Sequence, residues 1–534
     1  MGELKEAWWA RHPWLAAVVL YLPMAAIYLQ PFVFHPPHSW PTGFLQYDQA
    51  SYMAMAREYF DEGFSFAYGN PFSPDPETPR IFFQPWAFAL GLIWKATEVD
   101  PGRLYLVFGA LSGLVMLRLT IALYLRLPPS AREPYGGLGL LVLCWGGGLF
   151  FLAGLADSLA KGALTTSSPF VFDPADGLWF LNLGRNLFYA CETFYHALAL
   201  GLLVALIDRR WVLSAMLGLL LIASHPFTGT QLLLVAIGWC AVERLLDRNP
   251  PHLALGAVLL ALLGFGLLYY LWFLPTRSAE HADLEQLWRN AASPPLEPLS
   301  ALLGWGPVAL LALVALAQRL AAFDRLPRLL WVMATGSFLL ANHELFMEPH
   351  QPLHFTRGYV WTPLFLLGLP ALQRVLAWLG RRHRSAVALV AALFLLDNAA
   401  WLSIQLFTNI RGAGYQLELS ADQRSAMRQL QEQTLADHLL VANDHVFAVL
   451  AVVHTPLRAW ASHIASTPYA NQRLAEIEAW HAGGVEVEAW RQRPVVFVRE
   501  APQAPLDSLP WVAGASSIER YGDLVVVVRP PTEP

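Results

Sequence analysis

Twelve apolar runs of 14 to 23 residues recur along the 534-residue chain, at about 14–33, 82–98, 104–125, 136–156, 188–207, 211–224, 227–244, 253–274, 299–317, 328–346, 359–376 and 386–408. A helix needs ~20 apolar residues to cross a hydrocarbon core ~30 Å thick, so most of these runs are of spanning length. With 56% hydrophobic and 14% charged residues, the chain is not an ordinary soluble domain. Twenty-one tryptophans suit rings anchored at the water–lipid interfaces. A net charge of -5 gives a nucleic-acid partner no support. Cys144, Cys191 and Cys240 lie far apart in or beside apolar runs, as small core residues do, and imply no disulfide framework.

Residues Met1 to Pro13 are polar, and the run after them ends in Pro36-Pro37 without a small-residue cleavage site. It reads as an uncleaved first helix with its N-terminus in the cytoplasm. Arginine-rich connectors should face the cytoplasm. The connectors holding Arg126/Arg132, Arg209-Arg210, Arg244/Arg248, Arg319/Arg325/Arg328 and Arg381-Arg382 share one side only if one early run does not cross. The run 82–98 is short and opens with Phe82-Phe83-Gln84-Pro85-Trp86, the start of an interfacial helix. Removing it leaves about eleven spans. The expected architecture is mainly α: a polytopic transmembrane bundle over 1–408, with a first periplasmic loop at 34–103 that carries juxtamembrane helices. The run 211–224 is short for a span.

Past 408 the pattern changes. Ser420-Ala421-Asp422-Gln423 caps a helix through Glu432, a second helix covers Gln472 to His481, and Leu439–Ala442, Val495–Val498 and Leu524–Val528 read as strands. Helices alternating with strands predict a small periplasmic α/β domain over 409–534 with a partly parallel sheet. In this tail Asn443-Asp444-His445 and Ser462-His463 have no glycine-rich phosphate loop beside them.

The stretch Tyr47 to Gly63 follows the first run and is polar. Tyr52, Met55, Ala56, Tyr59 and Phe60 repeat at three- and four-residue spacing, which predicts a helix that Gly63 stops. Asp48 stands at its start. A carboxylate there suits a general base acting on a lipid-linked substrate, and it equally suits a helix cap.

The spacing of Asp48, Tyr52, Arg57, Glu58 and Gly63 resembles the opening of the first periplasmic loop in the GT-C superfamily of integral-membrane glycosyltransferases, closest to the lipid A aminoarabinose transferase and protein mannosyltransferase branch. Two positions depart from that pattern: Gln49 stands at the second acid, and Gln84-Pro85 at a Lys-Pro whose lysine is expected to contact the carrier phosphate. Glu192, in Tyr189-Ala190-Cys191-Glu192-Thr193-Phe194-Tyr195-His196, matches a second family acid. The resemblance implies a polyprenyl-phosphate sugar donor, inversion at the anomeric carbon, catalytic roles for Asp48 and Glu192, and donor binding by Tyr52 and Arg57.

Other candidates come from the residues themselves. Glu192 and His196 share a helix face, although a carboxylate in a first turn also answers the helix dipole. Arg357 opens a span on the expected periplasmic side, where a guanidinium can grip a phosphate bidentately; Arg185 and Arg277 are further candidates for that task. His225 is either a ligand for phosphate or metal or a histidine bonded within a tight interspan turn. Asp173 and Asp176 read as turn formers. The loop 342–357 holds three histidines and two glutamates, with Glu348, His350 and His354 as candidate ligands for zinc or another divalent ion, at spacings that match no standard closed site. No cofactor is certain.

The function expected from all this is transfer of a sugar from a polyprenyl-phosphate carrier to a periplasmic lipid, glycan or protein acceptor, by an enzyme in a bacterial inner membrane. The alternative is a non-catalytic polyprenyl-phosphate-binding or transport protein of the cell envelope. A transporter would be expected to carry intramembrane charges or broken helices in paired halves, and here most charges fall in loops.

Overall fold

The computed structural model describes residues 7–62, 65–163, 165, 170–173, 183–247, 250–291, 296–319, 324–410, 417–433, 435–483, 486–500 and 509–532. Gly63, Asp176, Arg248 and Gly484 lie outside them. The protein is mainly α-helical and multi-pass, with a small sheet region near its C-terminus. Among the described residues, eight helices are long and apolar enough to cross a membrane: Pro13–Val33, Pro101–Leu125, Ala190–Ile207, Pro226–Leu246, His252–Arg277, Pro298–Ala317, Trp361–Gly380 and Arg384–Phe407. The pair Gly136–Trp145 and Phe150–Lys161, bent by 61°, passes the same test together and brings the number to at most nine. The count is lower than eleven for a physical reason. The helices Trp211–Ser224 and Arg325–Ala341 have 14 and 17 residues. At ~1.5 Å per residue they reach only ~21 and ~25 Å, short of a ~30 Å core. The run 82–98 forms the 13-residue helix Pro85–Thr97 and is not among the span-length helices.

Contacts divide the chain into two compact units. The first comprises Met1–Ile27, Gly109–Tyr270 and Arg289–Phe407. The second comprises Tyr28–Phe108, Leu271–Trp288 and Thr408–Pro534, so the tail shares a unit with the first loop.

The bend in the first unit is built from polar pieces. The sequence reading ran one span through 136–156, but Gly146-Gly147-Gly148 interrupts it. A Cβ on Gly147 would lie 2.9 Å from the Asp397 Cβ, so this approach requires glycine. Breaking a helix in an apolar surround strands backbone groups that must find other partners. The Asp397 oxygens accept from the Phe150 and Phe151 N–H groups at 3.2 and 2.9 Å. Asn398 Nδ2 donates to the Gly146 carbonyl at 3.0 Å, and Trp361 Nε1 to that of Gly147 at 3.2 Å. Elsewhere in this unit buried Glu243 pairs with Arg325 at 3.2 Å and Arg328 at 3.1 Å, locking the Pro226–Asp247 helix to Arg325–Ala341.

The second unit holds a five-stranded sheet in the spatial order Arg458–Ala459, Leu439–Ala442, Val495–Glu500, Leu524–Arg529 and Ser517–Tyr521. The first three are parallel and the last two antiparallel, with Leu439 opposite Val495 and Val495 opposite Arg529. Trp480, Trp490, Trp511 and Phe497 fill its core. The expected capping box forms: Ser420 Oγ accepts from Gln423 N at 3.1 Å and Gln423 Oε1 from Ser420 N at 2.9 Å, opening the helix Ala421–Glu432. The strand Ser39–Pro41 pairs antiparallel with Glu418–Ser420. The helix Tyr47–Glu62 packs on Pro85–Thr97 through Phe60 stacked on Trp94 at 4.5 Å. A Cβ on Gly91 would lie 2.6 Å from that of Tyr59. The same helix meets His445–His454, where Arg57 Nη1 donates to the Val453 carbonyl at 2.7 Å.

His281, in the helix Ala279–Ala291, is buried beside Phe82 and Trp288. Burial pushes it down to about 4 from an ordinary 6.5. On unfolding, the imidazole takes up a proton below ~6.5, whereas the folded one stays neutral down to about 4. Stability is therefore lost as pH falls through that window, on the order of 2–3 kcal/mol from this group. Thermal unfolding of the solubilised protein at pH 7 and pH 4.5 tests it. The downward shift in Tm should be smaller in His281→Phe than in the parent, and an equal shift would place the acid sensitivity elsewhere.

Candidate functional site

The predicted residues gather at two places, one in each unit. In the second unit Asp48 sits in the first turn of the helix Tyr47–Glu62. Its Oδ1 is 2.7 Å from His463 Nε2, and its Oδ2 accepts from Gln46 Nε2 at 3.2 Å. The Asp48 side chain is 40% exposed and that of His463 only 4%. The carboxylate is thus held from below and open to solvent. Tyr47 stacks on the His463 ring at 4.4 Å and donates its hydroxyl to the Ser462 carbonyl. Burial raises the Tyr47 hydroxyl well above its usual range, which keeps it a donor.

The rest of the motif lies along the same helix. Tyr52 packs edge-on against Trp86 at 5.5 Å. Arg57 forms a two-pronged pair with Asp61 at 2.9 and 3.0 Å, four residues on. Glu58 accepts from Arg458 at 2.9 Å, and its own carboxyl is raised by burial. The two departures from the family pattern have structural duties. Gln49 is fully buried, with Oε1 accepting from Leu45 N at 2.8 Å, and Gln84 Oε1 accepts from the Tyr68 hydroxyl at 2.9 Å.

In the first unit Glu192, in the first turn of Ala190–Ile207, pairs with two guanidiniums. Arg185 Nη1 lies 2.6 Å from its Oε2 and Arg357 Nη1 2.7 Å from its Oε1. All three residues are buried. Local bonds set them up: Thr193 Oγ1 donates to the Asn186 carbonyl at 3.0 Å, and Asn186 Nδ2 to the Arg357 carbonyl at 3.1 Å. Around them, Arg357 bonds the Tyr195 hydroxyl, His225 stacks on Tyr195 at 4.4 Å, and His196 bonds the Tyr359 hydroxyl. His225 Nδ1 also accepts from Thr228 N at 3.1 Å, so it serves the interspan turn as well. Arg357 Nη2 is 2.9 Å from His354 Nδ1. Burial, and then the charge of Arg357, holds His354 well below its usual value. Among the described residues the cluster holds two guanidiniums and the carboxylate they share, all away from water, and a neutral His354.

No protein-family model matches the sequence, and no curated protein sequence matches it. The chain is similar in structure to several solved membrane proteins. With ArnT from Cupriavidus metallidurans bound to undecaprenyl phosphate it shares 15% identity over 97% of this chain and 98% of that one, at a TM-score of 0.48. With the Archaeoglobus fulgidus oligosaccharyltransferase AglB, in complex with an inhibitory peptide and a dolichol-phosphate, identity is 11% over 92% and 70% of the two chains, also at 0.48. The apo form of the Archaeoglobus fulgidus oligosaccharyltransferase gives 11% over 93% and 70%, at 0.49.

The metal candidates are not brought together. Among the described residues no three His, Cys, Asp or Glu side chains group as a metal ion requires. Glu348 is exposed, His350 lies against Phe227, and His354 Nδ1 faces the Arg357 guanidinium, whose charge repels a cation. The two prolines of this loop split it into the short turns His343–Leu345 and Pro352–Phe355. Arg277 stacks near Phe273 and Asp173 is buried in a turn whose N–H bonds the Phe170 carbonyl. Sequence reasoning missed His463 as the partner of Asp48, 415 positions away, and the roles of Tyr195 and Tyr359.

Removing Glu192 leaves two buried guanidiniums without their shared counter-charge. Glu192→Ala should cost about 3–5 kcal/mol, whereas Tyr359→Phe, which deletes one hydrogen bond, should cost about 0.5–1.5 kcal/mol. Denaturation midpoints of the two variants in one detergent check the order. Equal losses would show that the charges are balanced from elsewhere.

Proposed function

We propose that the chain is a membrane glycosyltransferase of the GT-C type, which moves a sugar from a polyprenyl-phosphate carrier to an acceptor at the periplasmic face of a bacterial inner membrane. The observation that carries the reading is Asp48: a carboxylate with two side-chain donors fixing its oxygens and two-fifths of its surface open to an incoming hydroxyl or amine. Its place in the Asp48, Tyr52, Arg57, Glu58 motif supports the same reading.

The reaction follows from these groups. An acceptor O–H or N–H attacks the anomeric carbon of the donor, and the bond from that carbon to the phosphate oxygen breaks. Its electron pair leaves with the polyprenyl phosphate, and the acceptor proton passes to Asp48 as general base. The leaving phosphate goes from one negative charge towards two. Guanidiniums stabilise such a charge, and in this reading Arg357 and Arg185 are assigned to the phosphate. His225 lies beside them on Tyr195. Glu192 is then a positioning residue, since both its oxygens are taken by the guanidiniums it aims. Tyr52 and Arg57 support the Asp48 helix through Trp86 and Asp61.

Membranes given a panel of polyprenyl-phosphate sugars test the reading by release of free polyprenyl phosphate and labelling of an acceptor. Asp48→Asn should slow transfer by about 10²–10⁴-fold with donor binding retained, the range of a lost general base. Undiminished transfer in the variant would remove Asp48 from the mechanism. Binding without transfer in either protein would favour a carrier-binding or transport role.

A further inference from the structure

Asp48 is held at 2.7 Å by a residue from the far end of the sequence. The His463 ring is clamped by the Tyr47 stack on one side and by Phe72 at 5.9 Å, and its backbone carbonyl accepts from Ser466 N and Thr467 N at 2.9 and 2.8 Å. The ring therefore has a fixed orientation, with Nε2 directed at Asp48 Oδ1. A carboxylate oxygen accepts, so Nε2 carries the hydrogen. His463 Nδ1 is buried and has no hydrogen-bond partner among the described residues, whereas Nε2 has Asp48. A buried histidine with one ring nitrogen unsatisfied and the other on a partly exposed carboxylate is costly as mere packing. A phenylalanine would fill the same stack without stranding a ring nitrogen.

We infer that His463 is a positioning residue for the reaction, holding the Asp48 carboxylate in the rotamer from which it receives the acceptor proton. The inference rests on the reading of Asp48 as general base. It makes the C-terminal α/β region part of the catalytic machinery, because the residue that aims the base lies in the segment following the strand Arg458–Ala459. Gln46 supplies the second tether at Oδ2. Misplacing a reacting group by ~1 Å can cost ~10²-fold in rate, which sets the scale expected here.

Two substitutions separate aim from packing. His463→Phe keeps an aromatic ring on Tyr47 and deletes the donor, whereas His463→Gln places an amide N–H near the Nε2 position and deletes the ring. In the full chain in membranes, with polyprenyl-phosphate sugars as donors, His463→Phe should lower kcat by ~10²-fold with the donor KM unchanged, and His463→Gln should recover most of that loss. A fully active His463→Phe beside an inactive Asp48→Asn would overturn the inference and leave the base reading standing. A fully active Asp48→Asn would overturn both. The contact has a readout independent of transfer. In ¹⁵N-histidine-labelled protein, the Nε2 proton resonance identified by its loss in His463→Gln should lie downfield in the parent and move upfield in Asp48→Asn. An unmoved resonance would sink the inference whatever the activity.

Discussion

Everything in the first unit is subject to one constraint: inside an apolar surround, each polar group must find its partner within the protein. The Gly146-Gly147-Gly148 break shows the consequence most directly. Freed backbone groups there are met by Asp397, Asn398 and Trp361, which are contributed by two other spans. The break and the spans around it therefore specify one another. The same constraint governs the charges. Glu243 holds two arginines, and Glu192 holds two more. Buried ion clusters of this kind contribute less to net stability than to fixing one arrangement, since desolvation offsets much of the attraction.

The second unit is organised differently. Its sheet is filled by tryptophans and β-branched residues, and its core resembles that of a water-soluble α/β domain. Yet this sheet does not stand apart from the first loop. Ser39–Pro41 pairs with Glu418–Ser420, Arg458 binds Glu58, and His463 meets Asp48. Each link joins a residue near the start of the chain to one more than 370 positions later. The helix that carries Asp48 is consequently oriented by the tail, and a carboxylate with two-fifths of its surface open gains a fixed direction.

What was legible in the sequence follows the range of the interaction that decides it. The apolar periodicity of spans, the Ser420 capping box and the β-branched strands are local, and they emerged with their expected types. Arg357 was legible because an arginine on the side expected to be periplasmic runs against the usual bias. Arg185 and Glu192 are seven residues apart, but the pairing that joins them through Arg357 depends on how spans pack. The triple glycine was visible and read as part of one span, because nothing nearby announces that Asp397, some 250 residues later, caps the helix after it. The His343–His354 loop shows the reverse error. Ligand-type residues clustered in sequence, and the fold turned one of them towards a guanidinium.

The departures at Gln49 and Gln84 bear on how far a motif can be read residue by residue. A second acid at position 49 would point into a buried space, against the Leu45 N–H that Gln49 Oε1 now accepts. An amide fulfils that contact without burying a charge, so the substitution is tolerated where the acid's own role is not needed. Gln84 likewise spends its oxygen on Tyr68, and the positive charge that a lysine would have brought to that position is absent. Buried guanidiniums stand elsewhere, at Arg185 and Arg357, each paired with Glu192. The motif around Asp48 therefore carries its spacing without the second acid and the lysine, and the amides at those two positions are held by the fold itself.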